Sequence, residues 1–106
     1  MQVLHYLDSR GNDAYQDWLD HVRDITGRIA VQRRIDRIVD TGNLGSHSFC
    51  QDGVWELKVD VGPGYRVYYV ETRKTVVLLL CGGTKRSQKR DIMQAVKYWR
   101  EYQQKS

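Results

Sequence analysis

The chain has 106 residues, a net charge of +4, 41% hydrophobic and 28% charged residues, the proportions of a single ordinary globular domain over residues 1–106. No apolar run approaches the ~20 residues of a membrane helix, and the opening MQVLHYLDSR lacks the basic-then-apolar order of a signal peptide, so no membrane association and a cytoplasmic location are expected. Cys50 and Cys81 make no CxxC pair, and His5, His21 and His47 show no ligand spacing, which predicts reduced packing thiols and no metal or other cofactor.

In chain order, Val3 to Leu7 reads as a short strand. A helix follows, capped by Ser9 or Asn12, with Tyr15, Trp18, Leu19, Val22 and Ile25 recurring at helical spacing and Asp13, Asp17, Asp20 and Asp24 on the other face. Gly27 should break it. A second helix is predicted with Val31, Ile35, Ile38 and Val39 inward and Arg33, Arg34, Asp36 and Arg37 outward. It should stop at Gly42, which suits the position just past a helix end. Residues 43–53 have no clear period and read as a loop.

The strand pattern then becomes clean. Trp55, Leu57, Val59 and Val61 alternate with Glu56, Lys58 and Asp60. Gly62-Pro63-Gly64 is a turn, Tyr65 to Glu71 the return strand, and Thr72 to Thr75 a second turn. Val76 to Cys81 is a continuous apolar strand, expected to be covered on both faces and broken by Gly82-Gly83. A last helix is predicted from Arg86 to Gln103, with Ile92, Ala95, Val96, Trp99 and Tyr102 on one face. The order β-α-α-β-β-β-α predicts an α+β fold, an antiparallel sheet with helices on one face.

The charge is unevenly spread. Residues 1–53 carry six Lys/Arg and eight Asp/Glu, residues 54–106 eleven and five. A positive C-terminal half favours polyanionic partners. Two constellations concentrate that charge. The first lies on the hairpin. A turn with an odd number of residues places Lys58 opposite Arg66 and Glu56 opposite Tyr68. An even turn would send the pairs to opposite faces. Like charges facing across a ladder are unfavourable, so the Lys58–Arg66 pair calls either for neutralisation by Glu56 or Asp60 or for a bound anion. The second constellation is Lys85, Arg86, Lys89 and Arg90, before and within the first turn of the last helix. Cations there oppose the helix dipole, and phosphate would reverse the sign of the effect. Most aromatics fall on apolar faces. Tyr68 and Tyr98 are expected on polar ones.

At these segments, GVWELKVDVGPGYRVYYVE and VVLLLCGGTKRSQKRDIMQAVKYW, the sequence resembles the addiction-module toxins of the RelE/ParE/HigB superfamily. The resemblance implies the compact RelE-like fold and a toxin of a type II toxin–antitoxin module. By that resemblance the toxin is a ribosome-dependent mRNA endoribonuclease using 2′-OH attack on the adjacent phosphate. It implies catalytic roles for Lys58, Arg66 and Arg86. Lys85, Lys89, Arg90 and Tyr68 would bind substrate. Its partners would be the ribosome and mRNA, a small helix-turn-helix antitoxin, and operator DNA only as the toxin–antitoxin complex. Two positions depart from the RelE pattern, Glu56 where a second lysine is expected and Ile92 where a tyrosine is. Glu56 or His47 is then a candidate acid or base. The departures also keep two other readings open: a ParE-like inhibitor of DNA gyrase without nuclease activity, and a nucleic-acid-binding module without activity.

Overall fold

A computed structural model describes residues 1–73 and 76–105. β1 (Gln2–His5) leads to α1 (Ala14–Asp20) and α2 (Ile25–Thr41). Four strands follow, β2 (His47–Gln51), β3 (Val54–Val59), β4 (Tyr65–Arg73) and β5 (Val76–Thr84), and a 3-10 turn at Lys85–Ser87 enters α3 (Gln88–Lys105). The five strands form one sheet in the order β1-β5-β4-β3-β2. The fold is α+β, as expected, but the sheet is mixed rather than antiparallel, because β1 pairs with β5 in parallel. Segment 47–51, expected as loop, is the edge strand β2.

The helices also cover both faces of the sheet, not one. On one face, Tyr15 and Leu19 of α1 and Val31, Ile35 and Ile38 of α2 pack on Leu57, Val59, Val67, Tyr69, Val77 and Leu79. On the other, Ala95 and Val96 of α3, flanked by Ile92, Trp99 and Tyr102, pack on Val54, Tyr68, Val70, Leu78 and Leu80. The apolar stripe read from α3 is therefore the one it buries.

Helix boundaries follow their caps. Asp13, not Ser9 or Asn12, caps α1, accepting from the Gln16 amide. Asp24 caps α2 and accepts from Thr26. Gly27 does not break a helix but sits in the first turn of α2, where a Cβ would lie 2.7 Å from Tyr65 Cζ. The close seat for that ring offsets the ~1 kcal/mol a helical glycine costs. Ile25 and Val39, expected inward, are exposed. Gly42 ends α2 at φ 72°, as its position in the sequence predicts. β4 runs through Thr72 to Arg73, and the rest of the turn expected there lies outside the described residues.

β5 does not stop at Gly82-Gly83 but continues to Thr84. Tyr68 pairs with Cys81 and Tyr69 with Leu79, so Leu80 is an extra residue, a β-bulge. Leu80 and Cys81 consequently both face α3. Beyond the bulge Gly82 is sterically required, whereas the groups above Gly83 are the ends of flexible side chains. A Cβ on Gly82 would enter the Trp18 indole, and one on Gly83 would meet Asp91 and Ser87.

Candidate anion-binding site

The β3–β4 hairpin has the register expected of an odd turn. Lys58 pairs with Arg66, Glu56 with Tyr68 and Leu57 with Val67. Val67, Tyr69, Trp55, Leu57 and Val59 accordingly face α1 and α2, and the alternate set faces α3. Gln88, at the start of α3, reaches Glu56, so the Glu56–Tyr68 half of that face lies under the helix. Toward the turn the same face opens into a concavity of about 420 Å³ lined by Lys58, Asp60, Arg66, Lys85 and the turn glycines.

Arg66 is the unusual group there. Its side chain is 7% exposed. Nη1 donates to Asp60 Oδ1 and to the Tyr65 carbonyl, both at 3.0 Å, while its buried Nε has no partner. Buried polar groups are normally satisfied, and one left open costs about 1–3 kcal/mol. Of the two explanations for facing cations, neutralisation is thus only partial. Asp60 neutralises one edge of Arg66, yet its side chain is 69% exposed and mostly solvated. Glu56 neutralises neither cation: its oxygens accept from Ser48 Oγ at 3.2 Å and Gln88 Nε2 at 2.7 Å. Among the described residues Lys58 has no ion-pair partner within 4.0 Å.

Lys85 joins the pair because its backbone N–H donates to the Gly64 carbonyl at 2.7 Å, tying the entry of α3 to the hairpin turn. A Cβ on Gly64 would lie 3.5 Å from Lys85 Cβ and 3.8 Å from Arg66 Nη1, so the glycine keeps the floor of the concavity low. Arg86 turns elsewhere. With Ser87, Lys89, Arg90 and Met93 it lines a second, adjacent concavity of about 630 Å³. The cations are therefore divided between two openings, Lys58, Arg66 and Lys85 in one and Arg86, Lys89 and Arg90 in the next. The two meet at the Lys85–Arg86 peptide.

Three expected site residues are placed away from the opening. Tyr68, expected on an accessible polar face, is fully buried beneath α3 with its hydroxyl unpartnered, and burial raises its pKa well above the ordinary phenol value. It cannot touch substrate. Glu56 shares its fate, being 4% exposed. His47 pairs across from Leu57 and so projects on the face opposite Lys58 and Arg66, beside Trp55 at 5.7 Å between ring centroids. That position removes it as an acid or base for this site. Tyr98, also expected on a polar face, packs on Tyr6 with centroids 5.2 Å apart.

Sequence reading missed Arg34. Its helical position reads as outward, but the guanidinium donates to the carbonyls of Leu44 at 2.9 Å and Lys58 at 2.7 Å, and to that of Ser46. It clamps the entry to β2 and the end of β3 together, fixing the backbone of Lys58. No periodicity signals this, because the acceptors are backbone groups distant in sequence.

Both cysteines are free thiols. Burial, with Glu56 nearby, raises Cys50 to about 12, and burial with Asp91 nearby raises Cys81 to about 12. Among the described residues no cluster of His, Cys, Asp and Glu is placed to hold a metal ion, and no helix is long and apolar enough to cross a membrane.

Fold and site together define an α+β protein that carries a buried, under-satisfied arginine in a cationic concavity at one end of a mixed sheet. No family model matches the chain. A protein of Haemophilus influenzae described as uncharacterized is 38% identical over 81 residues, covering 76% of this chain and 81% of that protein, and the chain belongs to its family.

Proposed function

We propose that the chain is a RelE-like toxin of a type II toxin–antitoxin module that cleaves mRNA on the ribosome. The observation that carries this reading is Arg66. A guanidinium held almost out of solvent with Nε unfilled, beside Lys58 and Lys85, is a binding site for an anion with several acceptor oxygens. Arginine's fixed fork of donors suits phosphate in particular.

In the proposed reaction an RNA 2′-oxygen attacks the adjacent phosphorus. The 2′-O–P bond forms, the bond to the 5′-oxygen breaks, and a cyclic phosphate and a 5′-hydroxyl result. Arg66 and Lys85 stabilise the charge that builds on the phosphoryl oxygens, usually the largest catalytic contribution. Lys58, reacting as the free amine, receives the 2′-OH proton, and the departing oxygen takes a proton from solvent at the open side of the concavity. Arg86, Lys89 and Arg90 hold flanking phosphates along the adjoining surface. The same cationic surface would receive an acidic segment of the antitoxin, which would neutralise the toxin by covering it.

The test is expression of the chain alone in a bacterial host with mapping of mRNA 5′ ends. New ends in codon phase are expected, and none with Arg66→Met. A DNA-damage response without new ends would point to gyrase inhibition. Absence of both would leave a nucleic-acid-binding module.

A further inference from the structure

Asp60 is an unexpected group in a site for an anion. Its carboxylate lines the same concavity as Lys58, Arg66 and Lys85, where a negative charge repels any phosphate that enters. Pairing with Arg66 is a weak reason for it, because the Asp60 side chain is 69% exposed and solvated ion pairs contribute little. We propose that Asp60 is a positioning residue for Arg66: it fixes one corner of the guanidinium so that the opposite edge is presented to the phosphate. The inference rests on the phosphate-binding role argued above and deepens it.

The donors of Arg66 carry the argument. A guanidinium has five N–H groups, two on each Nη and one on Nε. Nη1 donates to Asp60 Oδ1 and to the Tyr65 carbonyl, both at 3.0 Å, so both of its hydrogens are committed within the fold. Among the described residues neither Nε nor Nη2 has a hydrogen-bond partner. The Nε–H runs parallel to one Nη2–H, and together they form the edge away from Nη1, a two-donor fork of the kind that takes phosphate bidentately. By elimination, that edge is what Arg66 can offer to a ligand in the concavity it lines. One acceptor on Nη1 would leave the planar group free to swing about that bond. Two acceptors, from the two sides of the hairpin turn, fix its plane.

Asp60 can do this despite its exposure because its backbone is held. The Val61 N–H donates to the Val59 carbonyl at 3.0 Å, closing a three-residue turn with Asp60 at its centre. The Gly64 N–H donates to the Val61 carbonyl at 3.0 Å, and the Gly64 carbonyl in turn accepts from Lys85. Tyr65, the other anchor of Nη1, pairs with Val59 across the ladder. The turn therefore sets the separation of the two acceptors. An ionised carboxylate has acceptors only, so it has no donor to turn towards Nη1.

The experiment separates the acceptor from the charge. Asp60→Asn keeps an oxygen acceptor and removes the charge, whereas Asp60→Ala removes both. Asp60 is exposed, so both variants should fold. The full ¹⁵N-labelled chain and the two variants are titrated with inorganic phosphate, and the Arg66 Nε–H is followed. Phosphate should shift that signal in the unmodified chain. Asp60→Asn should show the same shift and bind phosphate about twofold more tightly, the relief of one solvated charge. Asp60→Ala should show a smaller shift and bind about fivefold more weakly, as loss of one hydrogen bond implies. A merely structural acceptor would change the melting temperature and leave both readouts alone. Tighter binding by both variants would mean that Asp60 acts through its charge alone. That result, or any other order of the three affinities, would overturn the positioning role and leave the anion site intact. If phosphate leaves the Nε–H of the unmodified chain unmoved, the anion-site reading fails, and this inference fails with it.

Discussion

Replacing Arg66 by Met should make the protein more stable and inactive at once. The guanidinium is buried with Nε unpaired, a cost of about 1–3 kcal/mol. Against that stand the bond from Nη1 to the Tyr65 carbonyl, about 1 kcal/mol, and the Asp60 pair. Asp60 is 69% exposed, and solvated ion pairs contribute about 0–1 kcal/mol. Relief of the facing Lys58 charge adds a few tenths, since like charges opposite one another on a ladder cost roughly 0.2–1 kcal/mol. Met keeps most of the aliphatic contact and adapts to the space left by the head group. The sum is a gain of about 1 kcal/mol, read in urea unfolding as a higher midpoint with an unchanged slope, and as a Tm higher by roughly 4–8 °C. Growth arrest on expression should disappear. A loss of more than about 2 kcal/mol would show that Arg66 is held in place by what it stabilises within the fold, and the inference from its unfilled Nε would fall. A folded, fully toxic variant would remove Arg66 from the mechanism.

Arg34→Ala should lower stability by about 2 kcal/mol and slow cleavage, because the three carbonyls it clamps regain only solvent. Arg34→Lys, without the fork, should recover little of either loss. Gly82→Ala should cost about 1–3 kcal/mol by overpacking against Trp18, with a matching loss of near-ultraviolet circular dichroism. Stability should fall as pH rises from about 9 to about 12. The thiols of Cys50 and Cys81 rise from 9.0 to about 12 on folding and Tyr6 from 10.0 to about 12. Each group therefore holds its proton more firmly when folded and favours unfolding once the unfolded form ionises; urea midpoints that do not change between pH 8 and 11 would contradict this. At pH 8 both thiols should alkylate much more slowly than a free cysteine, since only the thiolate reacts.

The hairpin register was legible because its turn is short and its alternation clean, and the pairing of Lys58 with Arg66 follows from counting residues. What escaped had physical reasons. β2 alternates, but its inward residues are Ser48 and Cys50, too small and polar to mark a buried face. Asp52-Gly53, with φ of 51° and 86°, is the stronger sign, a two-residue hairpin turn. The parallel pairing of β1 with β5 joins strands more than seventy residues apart, beyond any local pattern. The polar alternation at Glu56, Lys58 and Arg66 suggested a solvent face. That face is instead divided by how far α3 reaches, so Glu56 and Tyr68 are sealed and Lys58 and Lys85 are open.

That division depends on the end of β5. The bulge at Leu80 shifts the alternation by one residue, setting Gly82 under Trp18 and Gly83 under Asp91 and Ser87. Only then can the strand run on to Thr84 and deliver Lys85 against Gly64. The delivered segment is electrostatically unfavourable by itself: four cations precede or begin α3, each costing about 0.3–1 kcal/mol against the helix dipole when exposed. Asp91, the sole acidic residue in the first turn, already binds Ser87 and sits 3.8 Å from Arg90 Nε. A bulge, an obligatory Gly82 and an aromatic seat thus hold cations where the bare fold disfavours them. The same backing that places Lys85 also fixes the Trp18 ring. The cationic concavity is therefore a consequence of one packing solution at the end of one strand.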